Sequence, residues 1–166
     1  MPRIPFAVAL VAVLVAVMQA PAQAQSSGTS VDRSTCLQAY KSGSYESAMP
    51  ACERLVFYYI PRLQAMTRSN DAKVVLSSTW DLLRVTYVMA YGYKKTGAPE
   101  QGRQMALHCV GWGLLSLGAL KEIDPNGQNS QNGDKAMEIV RDMKALNVAF
   151  PGVVAEETKA FQEAFH

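Results

Sequence analysis

The stretch Cys36–Leu55, CLQAYKSGSYESAMPACERL, decides the fold. It reads as two antiparallel helices joined by a tight turn. Gly43 sits where the first helical pattern stops, and glycine is favoured just past a helix end because it tolerates positive φ. Ser44 follows as a good N-cap for the next helix. Cys36 lies seven residues before Gly43 and Cys52 nine after it. With equal rise per residue on both arms, the two cysteines come roughly level and can meet disulfide geometry, the alternative being two small buried residues that never bond. Closing a loop of about 17 residues would contribute about 3 kcal/mol on the chain-entropy estimate.

Within this stretch Ala39, Tyr40, Gly43, Tyr45, Ala48 and Leu55 are spaced as the small and aromatic residues of a helical-repeat hairpin. The segment resembles a unit of the tetratricopeptide-repeat and related helical-repeat families. That resemblance implies small residues where the two helices approach and a tyrosine packed in the turn. A second echo is YGYKKTGAPEQGRQMA, with Gly97, Pro99 and Gly102 in the places of Gly43, Tyr45 and Ala48. The two glycine turns are 54 residues apart, against about 34 in a tetratricopeptide array. The expectation is an all-α bundle of about six helices, built from helical hairpins with lengthened helices.

The chain opens with the anatomy of a secretory leader over residues 1–24. Arg3 supplies the positive start, Phe6–Met18 is an uninterrupted apolar run, and Ala22-Gln23-Ala24 is an A-x-A cleavage site. The run is too short for a comfortable membrane span. The leader predicts export, with the bacterial periplasm first and full secretion second, and no membrane span after cleavage before Gln25. An uncleaved anchor is the alternative. Removing the leader takes away Arg3 alone among the charged residues and leaves a net charge near +1. That balance, without a basic run, argues against nucleic acid as a partner.

Gln25–Ser30 reads as a polar lead-in to a single helical domain over residues 31–166. Helix one should run from about Val31 to Ser42. Helix two should start at Ser44 or Ser47, with Pro50 harmless in the second case and bending the helix in the first. Pro61 should kink or end it. Asn70 should cap the next helix, which should run to about Thr96 and end at Gly97. Leu76, Trp80, Leu83, Tyr87, Ala90 and Tyr91 mark its apolar face, and Lys73, Ser77, Asp81 and Arg84 its polar one, with Asp81 and Arg84 able to pair.

Pro99 should open a helix to about Ile123. Its segment Val110–Leu120 is almost wholly apolar, and close packing would explain Gly111, Gly113 and Gly118. An apolar-ligand groove is the alternative. The polar loop Asp124–Asp134 begins like a calcium loop but has Asn129 where glycine is needed and Lys135 where a bidentate Glu is needed. Asp134 should cap a helix to about Leu146, with Ala136, Ile139, Val140 and Met143 inward. Pro151-Gly152 should break it, and Ala155–Phe165 should form a last amphipathic helix.

Few residues suggest chemistry. His108 shares a polar stripe with Gln101 and Gln104 and reads as a surface histidine, while His166 is terminal. Cys109 is the odd cysteine, either a buried thiol or an intermolecular bridge. The acids Glu46, Glu53, Asp81, Glu100, Glu138, Glu156 and Glu157 fall on expected polar faces. No metal-ligand spacing, phosphate loop or nucleophile motif stands in the sequence, so no catalytic residue, metal or cofactor is predicted. Three function classes remain. One is a protein-binding module of the envelope using Tyr58 and Tyr59. Another is a small helical carrier or sensor of an apolar ligand lined by Trp80, Tyr87, Tyr91 and Trp112. The third is an envelope inhibitor or immunity protein.

Overall fold

The computed structural model describes residues 29–66 and 71–164. They form six helices and no strand: α1 (Thr29–Ser42), α2 (Tyr45–Met66), α3 (Ala72–Lys95), α4 (Pro99–Ile123), α5 (Ser130–Ala149) and α6 (Val153–Ala164). Consecutive pairs make three hairpins, α1–α2, α3–α4 and α5–α6. The hairpins pack side by side: α3 lies against α1 and α2, and α4 against α5 and α6. The protein is therefore an all-α bundle of packed hairpins, an architecture compatible with helical-repeat proteins. The expected leader, Asn70 and His166 lie outside the described residues.

Each hairpin turns at a glycine in the left-handed region: Gly43 at φ +76°, Gly97 at +83° and Gly152 at +87°. A residue with a Cβ is strained there, which is why glycine ends the first helix of each pair. Gly152 stands 55 residues after Gly97, which itself stands 54 after Gly43. The hairpins thus recur at a near-constant interval, longer than that of a tetratricopeptide unit. Cys36 and Cys52 are bonded, with their Cα atoms 5.3 Å apart. Counted from the turn glycine, their counterparts in the second hairpin are Ala90 and Ala106, both wholly buried. Small residues at these two places let the arms of each hairpin approach closely. Beside them, a Cβ on Gly102 would stand 2.8 Å from the Ala90 carbonyl oxygen.

Several boundaries differ from those expected. Thr29 and Ser30 belong to α1 rather than to the lead-in. Helix α2 begins at Tyr45, so Pro50 sits past its first turn, and the helix continues through Pro61 to Met66. Packing against α1 and α3 outweighs the lost hydrogen bonds. Asp71 is the N-cap of α3, accepting from the Lys73 N–H at 2.8 Å. Asn129, not Asp134, caps α5 by accepting from the Gln131 N–H at 3.0 Å, so α5 starts at Ser130 and runs past Leu146 to Ala149. Helix α6 starts at Val153, two residues before the expected Ala155.

One core runs through the three hairpins. Leu55, Leu82, Leu83, Val88, Met89, Val110, Ile139, Leu146 and Val153 are almost wholly buried. Val110–Leu120 is the buried heart of α4, as its composition predicts, with Gly118 the exposed exception. Gly113 admits α5 to this surface. A Cβ there would meet Ile139 Cγ2 at 3.1 Å and Met143 Sδ at 3.2 Å. Gly118 has nothing within 4 Å of such a Cβ, so close packing does not explain it. Val140, expected to point inward, is exposed.

Candidate functional site

Helix α3 places Trp80, Arg84, Tyr87 and Tyr91 four, three and four residues apart, which puts them along one stripe of the helix. That stripe faces α1 and α5, the first helices of the other two hairpins. Tyr40 reaches it from the last turn of α1, and Tyr45 from the first turn of α2. The rings form a continuous array. Tyr40 meets Tyr87 edge-on at 5.4 Å, Tyr87 meets Tyr91 at 4.9 Å, and Tyr45 stacks on Tyr91 at 5.2 Å. Phe150 extends the array, 6.3 Å from Tyr91. Such contacts add about 0.5–1.5 kcal/mol per pair beyond area burial and fix the rings in place.

Cations flank the array. The Arg84 guanidinium lies 4.4 Å from the Trp80 ring centroid and 5.4 Å from that of Tyr40. Lys95 lies 5.3 Å from Tyr45 and Lys94 5.1 Å from Phe150. Arg84 also donates twice to Glu138 Oε1, at 2.8 and 3.2 Å. A groove of about 460 Å³ opens between these elements, lined by Tyr40, Lys41, Arg84, Tyr87, Glu138, Arg141 and Asp142.

The groove's electrostatics follow from burial. Asp142 is only 3% exposed. Its burial pushes the carboxyl above the usual range, outweighing the opposite pull that Tyr40 and Arg141 exert where they donate to the ionised form. Burial and the neighbouring Asp142 carboxylate both raise Tyr40. Burial and the Tyr91 ring raise Tyr87. Every phenol of this pair is therefore a neutral hydroxyl at ordinary pH, able to donate and accept.

The structure brings together three of the four aromatic residues proposed for a ligand. Trp80, Tyr87 and Tyr91 share one stripe of α3, and Tyr87 of these lines the groove. Trp112 is 3% exposed in the core of α4 and takes no part. The groove is lined by phenols and charged groups rather than by apolar carbon.

Of the proposed pair Tyr58 and Tyr59, Tyr59 is not at the surface. Tyr59 is 4% exposed and donates to Asp81 Oδ2 at 2.7 Å. Tyr58 is half-buried and meets the Tyr59 ring edge-on. Asp81, expected on a polar face beside Arg84, is buried. It accepts from Arg33 at 2.8 and 3.0 Å, while Arg84 turns to Glu138. A distant arginine with a bidentate grip satisfies the buried carboxylate better than a same-helix neighbour could.

His108 is half-buried rather than on the surface, and burial lowers its pKa. Cys109 is a buried free thiol that donates to the Leu83 carbonyl oxygen at 3.2 Å. Burial pushes its pKa up, so it is an inert thiol in this fold and out of reach of a second chain. In the polar loop, the Asp124 carboxylate accepts from the Gln128 and Asn129 N–H groups at 3.0 and 2.8 Å. It thereby organises the loop. Among the described residues no three His, Cys, Asp or Glu side chains gather where a metal could bind. No helix among them is long and apolar enough to cross a membrane.

Sequence reasoning did not find the convergence of Glu138, Arg141 and Asp142 on Tyr40. They lie about a hundred residues away along the chain. The available signal was that Glu138, Arg141 and Asp142 share one face of α5 by helical spacing. No family model, curated protein or solved structure matches the chain.

Proposed function

We propose that this is an exported, non-catalytic interaction module that binds a segment of another envelope protein along the groove between α1, α3 and α5. The observation that carries this reading is the array Tyr40–Tyr87–Tyr91–Tyr45. It is held rigid by ring contacts but only half-buried in the free chain. Tyrosine is enriched at interfaces because it offers a large apolar face and a hydrogen-bonding tip at little entropic cost. The array runs from the first hairpin, through Tyr40 of α1 and Tyr45 of α2, to Tyr87 and Tyr91 of α3 in the second, so it crosses from one hairpin to the next and suits an extended segment. The phenols and paired charges around it favour a peptide over an apolar small molecule. Export to the periplasm is supported by the leader pattern of residues 1–24 and by the bonded pair Cys36–Cys52.

The test is recovery of partners from envelope extract on the immobilised mature protein, compared with two charge variants. Lys41→Glu with Lys95→Glu alters an exposed groove residue and an exposed residue over the Tyr45 ring, and Lys121→Glu alters an exposed residue of α4. A protein retained by the wild type and by Lys121→Glu, but lost from the groove variant, supports the reading. Equal recovery on all three baits removes the groove from partner binding.

A further inference from the structure

The Tyr40 hydroxyl poses a proton-counting problem. Its oxygen is 2.9 Å from Glu138 Oε1. It is also in close hydrogen-bonding contact with Asp142 Oδ2. In addition it receives an N–H from Arg141 at 3.3 Å. A phenol has one proton to give and two lone pairs to accept with. If both carboxylates were ionised, only one could receive that proton. The other would face the phenol's lone pairs in a part-buried site, which is unfavourable.

The two carboxylates are not equivalent. Glu138 Oε1 is held by both nitrogens of Arg84, which favours the ionised form. Asp142 Oδ1 accepts from Arg141 at 3.2 and 3.3 Å. Its Oδ2 meets Tyr40 alone among the hydrogen bonds of the described residues. An extra proton therefore belongs on Asp142 Oδ2. The phenol then donates to Glu138 and accepts from Asp142 and Arg141, which fills its valence.

We infer that Tyr40, Glu138 and Asp142 hold this second proton between them, and that it latches α1 to α5 across the groove. Helix α1 packs on α2 and α3, and α5 on α4 and α6. The hydrogen bonds that join α1 directly to α5 among the described residues all run through Tyr40. The groups that line the groove with Asp142 are Tyr40 and Lys41 of α1, Arg84 and Tyr87 of α3, and Glu138 and Arg141 of α5, with Tyr45 of α2 and Cys109 of α4 near enough to feel its charge. Burial raises the Asp142 carboxyl, in keeping with a retained proton. The latch is closed while Asp142 is protonated and opens as pH rises through its titration. Its consequence for binding rests on the proposed role of the groove: release frees the Tyr40 end of the array for a partner.

The experiment reads the free protein and needs no partner. The carboxyl carbon of Asp142, assigned by its loss in Asp142→Asn, is titrated by carbon-13 NMR in the wild type and in Tyr40→Phe. The expected wild-type midpoint lies above the range of an ordinary aspartate. Tyr40→Phe removes the acceptor of the Asp142 proton and should lower the midpoint. A phenol donating to an ionised Asp142 would give the opposite, a rise in Tyr40→Phe. A wild-type midpoint in the ordinary range, or that rise, overturns the shared proton. Amide exchange in the last turn of α1, corrected for intrinsic rate, should quicken severalfold across the titration in the wild type and stay level in Asp142→Asn. Exchange that ignores the titration overturns the latch. Neither result bears on whether a partner binds, which the charge variants decide separately.

Discussion

Replacing both Cys36 and Cys52 by alanine should leave the fold intact and remove about 3 kcal/mol of stability. The intact fold follows from the second hairpin. Ala90 and Ala106 occupy the corresponding places there, are wholly buried, and hold their helices together without a bridge. The magnitude follows from the loop. The bonded residues are 16 apart in sequence, so the bridge closes a loop of about 17 residues, for which the chain-entropy estimate is about 3 kcal/mol at 25 °C. The bidentate pair of Arg54 with Asp32, at 2.6 and 2.9 Å, stays in the variant and keeps α1 in register with α2. Equilibrium urea unfolding of both proteins checks this in two ways. The stability difference should be near the estimate, and the slope of stability against urea should rise, because an uncrosslinked denatured chain exposes more surface. A loss below about 1 kcal/mol would mean that the reduced chain already keeps the hairpin in its denatured state, and would refute the entropic account. A variant without a cooperative transition would refute the equivalence with Ala90 and Ala106.

Gly118→Ala should stabilise the protein by about 0.8–1 kcal/mol in thermal or urea unfolding, because α4 gains helix propensity and the new Cβ meets nothing. Gly102→Ala, with the Ala90 carbonyl oxygen 2.8 Å from its Cβ position, should destabilise by more than that gain. Tyr59→Phe leaves the buried Asp81 carboxylate one donor short and should cost about 2 kcal/mol, the usual range for a hydrogen bond to a charged group. Burial alone would raise Asp81, yet Arg33 and Tyr59 hold it below the unfolded value of 3.8. Its contribution is therefore present above 3.8 and is lost as pH falls through the folded value, so Asp81→Asn should flatten the acid limb of a stability–pH profile.

The fold was largely legible because its signals are local. Turn glycines, a proline opening α4 and helical spacing in α3 need only a short window of sequence. Boundaries failed where a tertiary contact outweighed a local preference. Helix α2 runs through Pro61 because both its neighbours pack on it. Helix α5 is capped by Asn129 rather than Asp134 because either residue can cap and spacing alone does not choose between them. Asp81 illustrates the harder limit. On α3 it keeps company with Lys73, Ser77 and Arg84, which reads as solvent. What buries it is Arg33 and Tyr59, from the first hairpin, and no pattern within α3 announces them.

The groove was half legible for the same reason. Trp80, Tyr87 and Tyr91 share one helix, so spacing alone aligns them. What they face is set by how hairpins stack. With turns recurring every 54 or 55 residues, the first helix of each hairpin falls on a common side, and α3 is bracketed by α1 and α5. A side chain in the last turn of α1 then meets side chains in the middle of α5, as Tyr40 meets Glu138 and Asp142. The repeat interval therefore carries the long-range information that single-helix periodicity lacks. Read forward, it makes the groove a property of the stacking rather than of any one hairpin. The chemistry within it, a phenol between two carboxylates with an arginine on each, is then what distinguishes this chain from a bare helical scaffold.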